Sequence, residues 1–253
     1  MADFSIEPVS EGALLLRFGE GIDIETNARV HAAARALRAA RLPGIIDIAP
    51  AYATVLLRFD PFAWIEGEPA QSFDRIAARL RMALSPANAA ALDPGLRRDD
   101  HGLGCNAINT TTHVIEIPVC YDATFGTDLD AVAEHTGFSH DEIRARHTAA
   151  TYTVAMLGFA PGFPYLLGLD PALHVPRRAN PRTRVPAGSI AIGGAQTGIY
   201  PRELPGGWQL IGRTPLAIFD PTREPACLLA PGDKVRFRAI DADSFARDTG
   251  RHP

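Results

Sequence analysis

Apolar and polar residues alternate over residues 3 to 8 and again over 13 to 18, which predicts two short strands separated by Glu11 and Gly12. The period then becomes helical across 24 to 42, with Val30, Ala33, Leu37 and Ala40 on one face, until Pro43 and Gly44 end it. Strand patterns return at 45 to 48 and 53 to 59. A second helix follows, in which Phe73, Ile76, Ala77, Leu80 and Leu84 recur at i, i+3, i+4 and i+7. A further strand at 113 to 119 completes the order strand, helix, strand, strand, helix, strand, with one extra strand in front. That order predicts a ferredoxin-like α+β domain over 1–84, closed by the strand near 113–119. Residues 85–112 show no period of either kind and are expected to form a disordered insertion.

The second half reads differently. A short helix carrying Leu129, Val132 and Ala133 stops at Gly137, and Ser139-His140-Asp141-Glu142 has the form of a capping box that opens another helix to about Ala149. Strand patterns then dominate, at 152 to 157, 189 to 193, 208 to 212, 216 to 219 and 234 to 240. A compact barrel or sandwich over 120–253 is the expected result.

Composition narrows the function. Charged residues make up 21% of the chain and the formal net charge is −4, so there is no basic excess of the kind that nucleic acid attracts. Lys234 is the only lysine, and no Gly-Lys-Ser/Thr triplet exists, which removes the Walker-type phosphate loop. The three cysteines, Cys105, Cys120 and Cys227, are odd in number and contain no Cys-x-x-Cys pair, so neither a disulfide framework nor a zinc site is indicated. No apolar run approaches a membrane span or a signal peptide, and a reducing cytoplasm is the expected setting. His140 and His147 lie seven apart on one predicted helix without a third ligand at metal spacing, so no metal site is expected. Either histidine reads as a structural residue or as a site residue. His147, just before the β region, is the better candidate for a site edge.

The candidate chemistry lies between Gly158 and Thr214. Of 22 glycines and 21 prolines, 23 fall in the 75 residues from 158 to 232, among many aromatic and β-branched residues. Such density over retained hydrophobicity implies ordered binding loops on a fixed core. In GFAPGFPYLLGL, Phe159, Phe163 and Tyr165 alternate with turn residues and form either a plug for the barrel end or a ligand wall. VPRRANPRTRVP places Arg177, Arg178, Arg182 and Arg184 on a proline-stiffened backbone. A solvated face is one reading of that run. Anion recognition is the favoured one, because guanidinium forks suit carboxylate and phosphate. Farther on, Ser189, Gln196, Thr197, Tyr200, Arg213 and Thr214 are interleaved with glycines that let a ligand approach the backbone. GGAQTG is no dinucleotide fingerprint, since β structure follows it, and Ser189 lacks the spacing of a nucleophile elbow.

These segments, GFAPGFPYL, PRR with a following PR and VPAGS, then GGAQTGIYPRELPGGWQLIGRTP, resemble the family of the 5-oxoprolinase B subunit, which also includes the KipI kinase inhibitor and allophanate hydrolase subunit 1. The resemblance implies an N-terminal α+β domain and a C-terminal cyclophilin-like β-barrel. It implies work with the A and C subunits of 5-oxoprolinase to open 5-oxoproline to glutamate using ATP, on a small anionic substrate. A KipI-type inhibitor of a sensor histidine kinase, or a subunit for urea or allophanate metabolism, is the alternative. Carried onto this chain, it assigns contacts to substrate or phosphate to Arg177, Arg182, Gln196 and Tyr200, to which the reading of the residues adds His147 at the edge. Ser189, Thr197 and Thr214 would supply neutral hydrogen bonds, and Phe163, Tyr165 and Trp208 the wall, with Arg213 and Phe159 added to the candidate substrate contacts from the loop pattern itself.

Overall fold

The computed structural model describes residues 4–64, 72–85 and 114–249. Apart from Ser85, the insertion expected at 85–112 lies outside them. The chain divides between Gly102 and Leu103 into two compact units.

In the first unit, β1 (Ser5–Ser10), β2 (Ala13–Arg17), β3 (Ile45–Pro50) and β4 (Thr54–Phe59) form an antiparallel sheet in the order β1-β2-β4-β3. The period of two shows in the burial: Leu14 and Leu16 of β2, and Val55 and Leu57 of β4, are all at most 1% exposed. Helix α1 (Ile24–Ala39) begins where the Asp23 carboxylate accepts the Thr26 N–H at 2.7 Å, and it buries Val30, Ala34 and Leu37. Helix α2 (Ser72–Ala83) buries Ile76, Ala77 and Leu80, three of the positions its spacing named.

The closing strand of the expected ferredoxin-like unit is not in this sheet. It is β5 (Val114–Cys120), which pairs in parallel with β13 (Lys234–Ile240) over seven residues of the second unit. Residues 117 to 120 are buried without alternation, as in a strand covered on both faces, and its partners lie more than 90 residues away. Local periodicity finds such a strand but cannot say which sheet takes it. The edge of β2 that a closing strand would occupy is taken by the extra strand, β1.

The second unit is a closed barrel. Its remaining strands are β6 (Tyr152–Leu157), β7 (Pro164–Leu167), β9 (Ser189–Gly193), β10 (Gln196–Ile199) and β12 (Gln209–Arg213), and the order around it is β10-β7-β6-β13-β5-β12-β9. Short strands β8 (Arg182–Val185) and β11 (Leu204–Gly206) pair separately. The strand expected at 216 to 219 does not form, and Phe219 makes only an isolated bridge to Cys227. Cys120 is free and buried. Ile117, Val154, Leu166, Ile190, Ile199 and Ile211 fill the barrel at 0% exposure.

Among the described residues, three helices complete this unit. Helix α3 (Leu129–Thr136) ends at Gly137 in the left-handed region, and α4 (His140–Ala149) carries both bonds of the Ser139/Glu142 capping box predicted from sequence. Helix α5 (Ala242–Thr249) sets the Phe245 ring 4.3 Å from that of Phe125.

Candidate functional site

The arginine segment meets an anion, but the anion belongs to the protein. Asp128 sits at the N-cap of α3, yet its side chain does not cap that helix. Its carboxylate instead accepts Arg182 Nη1 at 2.8 Å and Nη2 at 2.7 Å, Arg178 Nη1 at 2.8 Å, and the Leu210 N–H at 2.7 Å. Only 4% of the Asp128 side chain is exposed, so this ion cluster pins α3, the segment leading to β8, and β12 together. Arg182, expected to bind substrate, is therefore a structural fork. A signal for this lies in the sequence: residues 175 to 186 hold four arginines and no acidic residue, so a counter-ion has to come from elsewhere. Arg184 is exposed and pairs with Glu203 at 3.2 Å. Arg177 stays exposed, its guanidinium carbon 5.5 Å from the centre of the Trp208 ring.

Arg177 therefore joins the aromatic residues of the glycine/proline loop. Phe163 is the centre of that cluster, with ring centroids 4.9 Å from Tyr165, 5.2 Å from Tyr200 and 5.8 Å from Trp208. Phe163, Tyr200 and Trp208 are buried. Tyr165 is half-buried and Phe159 is 62% exposed, at a positive φ of 67°. Burial pushes the Tyr165 and Tyr200 hydroxyls above the usual phenol range, so both are proton donors, not bases, at neutral pH. The cluster is shaped by a missing side chain: a Cβ on Gly193 would lie 2.6 Å from the Trp208 ring. Gly193→Ala is expected to displace that ring, cost about 2 kcal/mol and red-shift the Trp208 emission. Fluorescence of the variant in a Trp64→Phe background, beside a denaturant titration, checks this.

His147 lies elsewhere, fully buried under the barrel wall, with its ring 4.5 Å from that of Phe237. Thr197 Oγ1 donates to the Ala191 carbonyl at 3.0 Å, so it accepts from His147 Nε2–H at 3.0 Å, and Nδ1 then accepts the Tyr121 hydroxyl at 2.8 Å. Every polar atom of this relay is satisfied within the protein. Burial lowers the His147 pKa from 6.5 to about 3. The structure thus places His147 and Thr197, expected at the site, in the core. Tyr121, whose hydroxyl donates to Nδ1, carries no sequence signal beyond being aromatic.

Ser189 and Gln196 are buried in β9 and β10. The Tyr200 N–H donates to the Ser189 carbonyl at 2.9 Å. Arg213 and Thr214 come to a cavity of about 310 Å³, walled also by Pro201, Leu216, Ala217 and Phe245. The predicted residues thus separate into an aromatic face with Arg177, a cavity with Arg213 and Thr214, and a structural group around Asp128 and His147. Among the described residues no three His, Cys, Asp or Glu side chains converge as metal ligands, and no helix is long and apolar enough to cross a membrane.

Residues 4–229 match the family described as "Carboxyltransferase domain, subdomain C and D". The chain is 38% identical to the 5-oxoprolinase B subunit of Bacillus subtilis (strain 168), over 96% of this chain and 95% of that one. It is 54% identical to the 5-oxoprolinase B subunit of Escherichia coli O157:H7 over 52% of this chain and 60% of that one. Among solved structures, TTHA0988 superposes with a TM-score of 0.71 at 40% identity, and this chain covers 40% of its length while 91% of this chain is matched. The Kluyveromyces lactis urea amidolyase, at 19% identity and a TM-score of 0.70 over 98% of this chain and 16% of that one, shares the fold. End-to-end similarity to the Bacillus protein, together with the family match across both units, places this chain in the family of carboxyltransferase subdomains C and D that contains the 5-oxoprolinase B subunit.

Proposed function

We propose that this chain is the B subunit of an ATP-dependent 5-oxoprolinase, opening 5-oxoproline to glutamate in the cytoplasm together with the A and C subunits. The observation that carries the reading is the 38% identity to a 5-oxoprolinase B subunit across 96% of this chain. Similarity of that extent includes both units and the aromatic face alike. ATP does not fit the glycine run of this chain as a phosphate cradle. The turn between β9 and β10 spends its Gly194 N–H on the Val175 carbonyl at 2.8 Å, and Lys234 is engaged with Thr153 at 2.7 Å. The nucleotide is accordingly assigned to the partner subunits, and this chain is inactive alone.

Phe159 supports a surface that a partner completes. A non-glycine residue in the left-handed region costs about 1–2 kcal/mol, and a 62% exposed ring recovers little of that by burial within its own chain. Phe159→Gly releases the strain and loses the edge contact with Phe163, so stability is expected to stay within about 1 kcal/mol of wild type. Assembly with the A and C subunits is expected to weaken by about tenfold or more. The test of the function is co-purification with the two partners and assay of 5-oxoproline-dependent ATP hydrolysis. Full activity without this chain would end the reading.

Carboxyl transfer in urea or allophanate metabolism is the second reading. It draws on the family description and on 33% identity to a Lachancea kluyveri urea amidolyase, but over only 48% of this chain. Turnover of urea or allophanate by the same purified complex, with 5-oxoproline inert, would favour it.

A further inference from the structure

The cavity at the end of β12 holds a cation that meets no carboxylate among the described residues. Arg213 Nε donates to the Ala187 carbonyl at 2.7 Å, which fixes the plane of the guanidinium. Arg146, Arg178, Arg182 and Arg184 each meet a carboxylate, whereas among the described residues none pairs with Arg213. Its terminal N–H groups remain a fork of the shape that binds a carboxylate through two parallel hydrogen bonds. Beside it, Thr214 is buried and its oxygen accepts the Leu216 N–H at 3.2 Å, which leaves the hydroxyl hydrogen to donate outward. The rest of the wall is mainly apolar, from Pro201, Pro215, Leu216, Ala217 and Phe245, with Thr249 spending its hydroxyl hydrogen on the Phe245 carbonyl at 2.8 Å, and the volume of about 310 Å³ is at the small end of ligand pockets. The backbone is kept thin here: Gly188 has a φ of 79°, and a Cβ on it would run into the Thr214 carbonyl.

A single guanidinium, one neutral donor with its hydrogen free and a mainly apolar wall complement one carboxylate on a compact uncharged ring. A second carboxylate, as in glutamate, would place an unpaired charge against that wall, and a nucleotide would bring several. We infer that Arg213 holds the carboxylate of the lactam substrate in this cavity, with Thr214 as second donor and the ring against Leu216 and Phe245. This rests on the 5-oxoprolinase reading. It also favours release of product, because ring opening creates a second carboxylate and an ammonium, two charged groups that the wall disfavours.

The test uses the complex of this chain with the A and C subunits. Arg213→Gln removes the charge and Ala217→Leu fills the cavity. Each is expected to raise KM for 5-oxoproline at least about tenfold while KM for ATP stays within about twofold. In wild-type complex carrying ¹³C-labelled alanine methyls, 5-oxoproline is expected to shift Ala187 and Ala217, and glutamate to do so only at concentrations about tenfold higher. Wild-type KM for 5-oxoproline in both variants overturns the cavity assignment, and the oxoprolinase reading stands if omission of the chain still abolishes activity. Activity that survives omission overturns both. Should a variant fail to assemble, methyl resonances that stay fixed at saturating 5-oxoproline overturn the assignment on the wild-type complex alone.

Discussion

Asp128→Ala is expected to destabilise the barrel unit by about 3 kcal/mol. The carboxylate is almost wholly buried and accepts four hydrogen bonds from three residues. Its removal leaves two guanidinium groups facing each other and the Leu210 N–H without an acceptor. The figure is at the low end of what breaking a buried ion pair costs, because Arg178 and Arg182 keep 33% and 25% of their side-chain exposure and can turn toward water. In thermal unfolding the midpoint is expected to fall by about 10 °C. Arg182→Ala is expected to cost about 2 kcal/mol, since Arg178 still neutralises the acid. A double-mutant cycle between the two positions gives their coupling directly. An Arg182→Ala protein with an unchanged midpoint and lost ligand affinity would return Arg182 to the binding site and contradict its structural role.

The second large effect is in acid. His147 has a folded pKa of about 3 against 6.5 when free, so the unfolded chain binds a proton that the folded chain refuses. A depressed folded value contributes stability that is complete above pH 6.5 and is lost as the pH falls from there toward 3. The slope approaches about 1.4 kcal/mol per pH unit, and the loss by pH 4.5 is about 3 kcal/mol. Most carboxylates of the unfolded chain begin to take up protons only near the bottom of that window, so the fall from pH 6.5 to 5 reports on buried histidine. In His147→Gln the amide can donate to Thr197 Oγ1 and accept from Tyr121, keeping the relay without a titrating ring. Its stability is expected to be flatter between pH 6.5 and 5 than that of the wild type. Urea titrations at half-unit steps of pH measure the difference, and parallel slopes for the two proteins would contradict the burial argument.

Both effects fall on residues whose role the sequence leaves open. His147 can be read as a core or as a site residue from its place on a short helix, and only its neighbours decide. Tyr121 approaches from 26 positions before it and Thr197 from 50 positions after it, which no local pattern reports. The same holds for Asp128, which is 54 residues from Arg182 and reads locally as the start of a helix. That Arg182 binds a carboxylate follows from its chemistry. Whose carboxylate it binds does not.

What the sequence determined by itself is the set of elements and the chemistry of the loops. Period and capping residues placed α1, α2, β2, β4, β6 and the Ser139 capping box, because these depend on neighbours within a turn or two along the chain. The loop motifs carried the family. The tertiary structure alone decided that β5 closes the barrel and not the first sheet, that Arg178 and Arg182 are spent on Asp128, and that Arg213 is left facing an apolar cavity. Each of these is a choice among partners distant along the chain. Burial and charge neutralisation make that choice after the chain has folded, and no local spacing encodes it.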